Sequence, residues 1–168
     1  MKKEKAKQLL SKISAAVIII FLVVTGGGWA YSFFFSPAYI NVFFYNKLVD
    51  KRLGTFMPCS ELAVTPLQRK VKRFDANIDS AIKLLMEGKL TEAEMRHGFT
   101  SEFPNASFKY LGHFYDKDSV VLKFEDPKDF TSGGACRASL LRYQFEKTVK
   151  QFTKTKNIKF LPDTLFQP

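Results

Sequence analysis

The sequence predicts an α+β domain, a small mixed sheet packed on two main helices, preceded by one N-terminal transmembrane helix. Three observations predict it. A long uncharged and apolar stretch stands near the start of the 168 residues. Behind it, runs of two-residue alternation rich in β-branched and aromatic residues interchange with runs whose apolar residues recur at helical spacing. Their order is strand, helix, hairpin, helix, strand, which lets both helices lie on one face of a small sheet and bury their apolar stripes.

The chain opens with Lys2, Lys3, Lys5, Lys7 and Lys12 against Glu4, and Ile13 to Phe35 then carries no charge. As a helix, those 23 residues span about 34 Å at roughly 1.5 Å each, enough for a hydrocarbon core of about 30 Å. Trp29 and Tyr31 suit the far headgroup boundary, and the preceding lysines favour a cytoplasmic N-terminus. We therefore expect a cytoplasmic segment 1–12, a single-pass cell-membrane anchor 13–35 and an extracytoplasmic domain 39–168. The rival is a cleaved secretory signal. Ala15 to Val24 has the length of an h-region, Gly28-Trp29-Ala30 and Ser36-Pro37-Ala38 fit a small-x-small cleavage pattern, and Gly26-Gly27-Gly28 weakens the helix. Apolar residues continuing through Phe33, Phe34 and Phe35 favour the anchor, and both readings export the domain.

Within the domain, Tyr39 to Tyr45 alternates polar and apolar residues and reads as the first strand. Asn46 to Thr55 is polar, contains Gly54 and reads as a loop. Leu62 to Val71 reads as extended segments broken by Pro66, a residue suited to an edge or a bulge. From Asn77 to Glu87 the residues Ile78, Ala81, Ile82, Leu84, Leu85 and Met86 recur at helical spacing, with Gly88 where a left-handed residue ends a helix. Thr91-Glu92-Ala93-Glu94 has the capping-box pattern of a second, short helix ending by Gly98. Ser107 to Tyr115 and Ser119 to Phe124 are two strands joined by Asp116-Lys117-Asp118, a connection short enough to force a hairpin. Beyond a flexible Thr131-Ser132-Gly133-Gly134 hinge, Leu140, Leu141, Phe145, Val149 and Phe152 mark the long second main helix, and Ile158 to Leu161 the final strand.

The formal net charge is +10, from 26 basic and 16 acidic residues. Five of the basic and one of the acidic residues lie before residue 37, which leaves the domain 21 and 15. Part of the basicity is thus a topology signal, and no nucleic-acid partner is expected. The 18 phenylalanines sit in strand-like alternation and suit a core better than a base-stacking platform. One dense basic cluster, Arg69, Lys70, Lys72 and Arg73, is followed by Asp75 and Asp79. It reads either as a solvated face or as a contact for a partner or polyanion.

Cys59 precedes the second strand and Cys136 opens the long helix, in a location oxidising enough for a disulfide. A bond between them would restrict the unfolded chain by about 4 kcal/mol at most; two separate thiols or a metal site are the alternatives. Glu94-Met95-Arg96-His97 matches half of a di-iron motif, without the second copy such a site requires. His97 and His113 are read as structural. No nucleophile motif or phosphate loop appears, so we expect no catalytic residue, no metal and no cofactor.

These features in order resemble the GerM domain of sporulation, spore-germination and other bacterial envelope proteins. Ile40 to Tyr45 is similar to the family's opening strand, Val64 to Val71 with Arg69 to its second stretch, and Ala81 to Gly88 to its first helix end. Leu90 to Pro104 is the most specific piece. Ser119 to Phe124 and Leu141 to Phe152 match its later strand and helix. Departures are Lys89 where proline is common, Lys123 where aspartate precedes phenylalanine, and the early break at Phe160-Leu161-Pro162-Asp163. The resemblance implies a non-catalytic module, akin in fold to ring-building domains, that packs against other envelope proteins. The expected function is accordingly a membrane-anchored interaction or scaffold module, binding another envelope protein or itself, with backbone groups near Pro66 to Val71 as the pairing edge. The alternative is a binding domain for an anionic cell-wall polymer or lipid headgroup.

Overall fold

The computed structural model describes residues 36–54, 59–155 and 157–167. The expected segments 1–12 and 13–35 lie outside them, and no helix among the described residues is long and apolar enough to cross a membrane. The chain divides into two units, Met1–Pro37 and Ala38–Pro168, and the second is α+β. Its elements are β1 (Pro37–Asn46), α1 (Lys47–Leu53), β2 (Val64–Lys72), α2 (Ile78–Glu87), α3 (Glu92–Arg96), β3 (Phe99–Thr100), β4 (Lys109–Asp116), β5 (Ser119–Glu125), α4 (Ala135–Lys150) and β6 (Asn157–Leu161). Single 3-10 turns occupy Glu61–Ala63 and Arg73–Asp75.

The strands form two three-stranded sheets, ordered β2-β1-β3 and β4-β5-β6. β5 is antiparallel to β4 and parallel to β6, so only the second sheet is shown to be mixed. The expectation of one mixed sheet is corrected by what lies along β1. The two-residue β3 pairs only with Tyr45 and Asn46. Farther along, side chains of α4 take the backbone groups that a further strand would take. The Phe43 N–H donates to Thr148 Oγ1 at 3.0 Å, the Asn41 N–H donates to Gln151 Oε1 at 3.0 Å, and Gln151 Nε2 donates to the Asn41 carbonyl at 2.6 Å.

Residues 47–53, expected as loop, form α1, which buries no residue. Its origin is a cap. The Asn46 Oδ1 accepts from the N–H groups of Leu48 and Val49 at 3.0 and 3.1 Å, while Nδ2 donates to the His97 carbonyl at 3.1 Å. Such a cap is worth about 1 kcal/mol, enough to set a short polar helix. β2 runs unbroken through Pro66. As an outer strand it tolerates a residue without an N–H.

α2 buries Ile78, Ala81, Ile82 and Leu85 and ends at Gly88 with φ 61°. A Cβ there would also collide with the Phe103 carbonyl oxygen, so both backbone and space require glycine. The capping box at α3 is formed: the Glu94 N–H donates to Thr91 Oγ1 at 3.2 Å and the Thr91 N–H to Glu94 Oε2 at 2.8 Å. The β4–β5 turn is tighter than expected, with Asp116 paired to Ser119 and Lys117 at φ 49°.

The segment before α4 is a tied corner rather than a flexible hinge. Asp126 accepts from the N–H groups of Phe130 and Thr131 at 2.7 and 2.9 Å and from Thr131 Oγ1 at 2.8 Å. Arg137 binds Glu102 at 2.7 Å and the Phe130 carbonyl at 2.7 Å.

One core serves both sheets. Ile40, Val42 and Phe44 of β1 join the buried residues of α2, Val120, Leu122 and Phe124 of β5, and Leu141, Phe145 and Val149 of α4. The Phe145 ring lies 5.7, 5.1 and 5.7 Å from the rings of Phe103, Phe124 and Phe166. Among the described residues the core begins at Ile40 and closes at Phe166.

Candidate interaction surfaces

The basic cluster does not form one surface. Alternation along β2 turns Arg69 inward with Leu67 and Val71 and leaves Lys70 and Lys72 exposed on the other face. Arg69 Nη1 and Nη2 grip the two oxygens of Glu94 at 2.6 and 3.1 Å, and Nη2 also donates to the Lys89 carbonyl at 3.1 Å. Its guanidinium lies 5.8 Å from the centre of the Phe44 ring. Burial opposes ionisation of Glu94, but the hydrogen bonds from Arg69 and the Thr91 backbone outweigh it and hold the carboxyl below its usual range. Arg69 therefore clamps β2 to α3. Arg73 lies exposed in the following turn, beside Phe74, which is 68 % exposed.

The start of β2 is placed by the chain's course. The Glu61–Ala63 turn packs on α1, which starts where β1 ends. Lys147 of α4 fixes it there, donating to the Glu61 carbonyl at 2.6 Å and the Val64 carbonyl at 3.2 Å. β2 is the neighbour of β1 in the sheet, and Tyr39, near the start of β1, is 62 % exposed.

A second surface belongs to the other sheet. β4 is one of its two outer strands and exposes Leu111 (59 %), Tyr115 (61 %) and, in part, Phe114. Register places Phe114, Val121 and Lys159 in one row and sets Leu161 beside Lys123, all on the face away from the core. A groove of about 480 Å³ runs around the β6 side of this sheet, lined by Phe114 and Val121 from one face and by Arg142, Phe160 and Leu165 from the other, and a Lys159–Asp116 pair at 3.4 Å lies beside it. The sequence showed these apolar residues but assigned them to the core, because strand alternation alone does not say which face a helix will cover.

Cys59 and Cys136 meet at disulfide distance, with Cα atoms 5.2 Å apart, which fits the bond expected from the sequence. The bridge ties the segment before β2 to the first turn of α4. It borders a cleft of about 360 Å³ lined by Tyr45, Glu102, Gly134, Cys136, Arg137 and Gln144. Burial first, then the Asp50 carboxylate that accepts its hydrogen bond, push the Tyr45 phenol up to about 12. Arg137 is engaged by Glu102 and by the carbonyls of Phe130 and Ser132.

A further polar cluster joins α2 to β4. Asp79 Oδ1 accepts from the Tyr110 hydroxyl at 2.8 Å and lies 2.8 Å from His113 Nδ1. Burial opposes ionisation of Asp79, yet the Tyr110 and His113 contacts hold its carboxyl below the usual range, and burial drives the Tyr110 phenol strongly upward. These contacts give His113 a structural task. The other histidine, His97, is exposed at the end of α3, and its motif partner Glu94 is held by Arg69. Among the described residues no three His, Cys, Asp or Glu side chains gather as metal ligands.

No family model, curated protein or solved structure matches this chain.

Proposed function

We propose that the chain is a non-catalytic interaction module, held on the outer side of a cell membrane by residues 13–35, that docks another envelope protein or a second copy of itself through the β4 side of the second sheet. The observation that carries this reading is the outer strand β4, which exposes Leu111, Phe114 and Tyr115. Exposed strand edges normally carry lysine, proline or bulges that deter pairing. β2, an outer strand of the first sheet, has Pro66, Lys70 and Lys72 along its length, whereas β4 has Lys109 at its first position and one irregularity between Tyr110 and Gly112. An outer strand flanked by apolar side chains takes an added strand or an apolar partner face. The resemblance to GerM domains supports the same reading, since that family consists of envelope packing modules. The partner edge accordingly moves from Pro66–Val71 to β4, and Arg69 leaves the contact set because its guanidinium is already engaged.

The test places a photo-crosslinking side chain at Leu111 or Phe114 in the full chain in native membranes. We expect discrete adducts that vanish in Phe114→Asp. Adducts no stronger than those from the same probe at exposed Lys83 would overturn the reading.

A further inference from the structure

We infer that β4 pairs antiparallel with β4 of a second copy of this chain, about a two-fold axis through His113, so that Lys109 of each copy meets Asp116 of the other. The inference rests on the docking reading above and deepens it by naming the occupant. Its basis is that β4 is its own complement. β5 pairs with seven residues of β4, from Lys109 to Asp116 with Leu111 left over as the extra residue, and His113 is the fourth of them. A symmetric strand pair sets residue i against j and j against i, so the two must share a face of the sheet. In a regular strand Lys109 and Asp116, seven apart, would point to opposite faces. The extra residue corrects this, because their partners Glu125 and Ser119 are six apart on β5 and share a face. The same count matches Tyr110 with Tyr115 on the inward face, opposite Phe124 and Val120, and Gly112 with Phe114 on the outward face, opposite Lys123 and Val121.

The side chains brought together are complementary. Lys109 and Asp116 are 63 % and 48 % exposed and now reach only Glu125 at 3.6 Å and Lys159 at 3.4 Å in their own sheet. Pairing joins these into one row of alternating sign, Glu125 and Lys109 of one copy followed by Asp116 and Lys159 of the other. Phe114 comes to lie over Gly112 of the second copy, where a Cβ would meet nothing within 4 Å, and beside its exposed Leu111; an aromatic ring over an edge glycine stabilises such a pair. The backbone is open to it. No side chain, turn or loop among the described residues hydrogen-bonds to the main chain of 109–116, whereas Thr148 and Gln151 occupy the corresponding groups of β1. A strand of another protein would need acid and base at both ends in this spacing, and the second copy carries them already.

The test uses the full chain, purified in detergent as an equal mixture of unlabelled and 15N-labelled protein, treated with a carbodiimide that couples lysine directly to carboxylate and read by mass spectrometry. Within one strand Lys109 and Asp116 stand about 20 Å apart, six steps of roughly 3.4 Å, too far for that coupling. We expect a Lys109–Asp116 crosslink that carries one labelled and one unlabelled peptide. K109E and D116K should each raise the dissociation constant of the dimer by about tenfold, and K109E/D116K should restore it, which a variant damaged in its fold would not do. Lys70→Glu, on the other sheet, should change nothing. Absence of the mixed crosslink, dimers that form without it, or a double variant no better than the single ones would overturn the inference. The docking reading fails separately: photo-adducts at Phe114 to a different protein, with no mixed Lys109–Asp116 crosslink, would keep that reading and sink this one, and loss of both would sink both.

Discussion

β2 and β4 hold the same topological place, each an outer strand of a three-stranded sheet, and they treat it in opposite ways. β2 carries a proline and two outward lysines, and its one inward cation is locked to Glu94. β4 carries Leu111 and Phe114 outward, exposes Tyr115 at its end on the same face as His113, and commits Tyr110 and His113 to Asp79. In both strands inward polar groups, Arg69 in β2 and Tyr110 with His113 in β4, are tied to carboxylates of neighbouring helices. The difference teaches that one small domain exposes a lysine-bearing strand on one sheet and a strand flanked by large apolar side chains on the other.

The comparison assumes that the two sheets are one folding unit, and the largest effect tests that. Phe145 packs against rings from several elements, and Phe145→Ala should cost about 3–5 kcal/mol. Urea unfolding followed by fluorescence and circular dichroism should show one transition moving as a whole; two separated transitions would mean that the sheets fold apart. Next comes the bridge that pins the approach to β2 on α4. With a sequence separation of 77, its loss in C59S/C136S should cost about 4 kcal/mol at most, read as a lowered urea midpoint that reductant reproduces in the wild type.

The clamp under β2 has a smaller and pH-dependent effect. Glu94 is held below its usual range in the fold. Its contribution is therefore complete above the unfolded carboxylate value and disappears as pH falls through the lower, folded value. Glu94→Gln should cost about 1–3 kcal/mol near neutrality, and the gap to wild type should close in acid. A gap that stays constant with pH would show that Arg69 is not the partner. The smallest effect is expected on the exposed rims. Lys72→Gln and Phe114→Ser should each shift stability by no more than about 0.5 kcal/mol, while Phe114→Ser alone should remove the β4 crosslink.

Features decided by a few neighbouring residues were legible in the sequence. The capping box at Thr91, the helix end at Gly88, the hairpin around Lys117 and the α2 stripe are local patterns, and the cysteine pairing was expected from there being two in a domain read as exported. What was hidden depends on partners far along the chain. α1 looks like loop until Asn46 is seen bonded to His97. The split into two sheets hangs on Thr148 and Gln151 meeting Phe43 and Asn41, more than a hundred residues earlier. Arg69 reads as one of four equivalent cations until Glu94 claims it, although the two-residue period already placed it on the opposite face from Lys70. Residue type announces charge; only the fold announces where that charge is spent.

The grip of α4 on β1 has an outcome for how the protein ages. Thr148 is wholly buried, and its hydroxyl stands where a neighbouring molecule's backbone would otherwise zip on. Thr148→Val, nearly the same in shape, would keep the interior filled yet strip that guard, so its mark should be slow fibril growth on storage rather than an early melt.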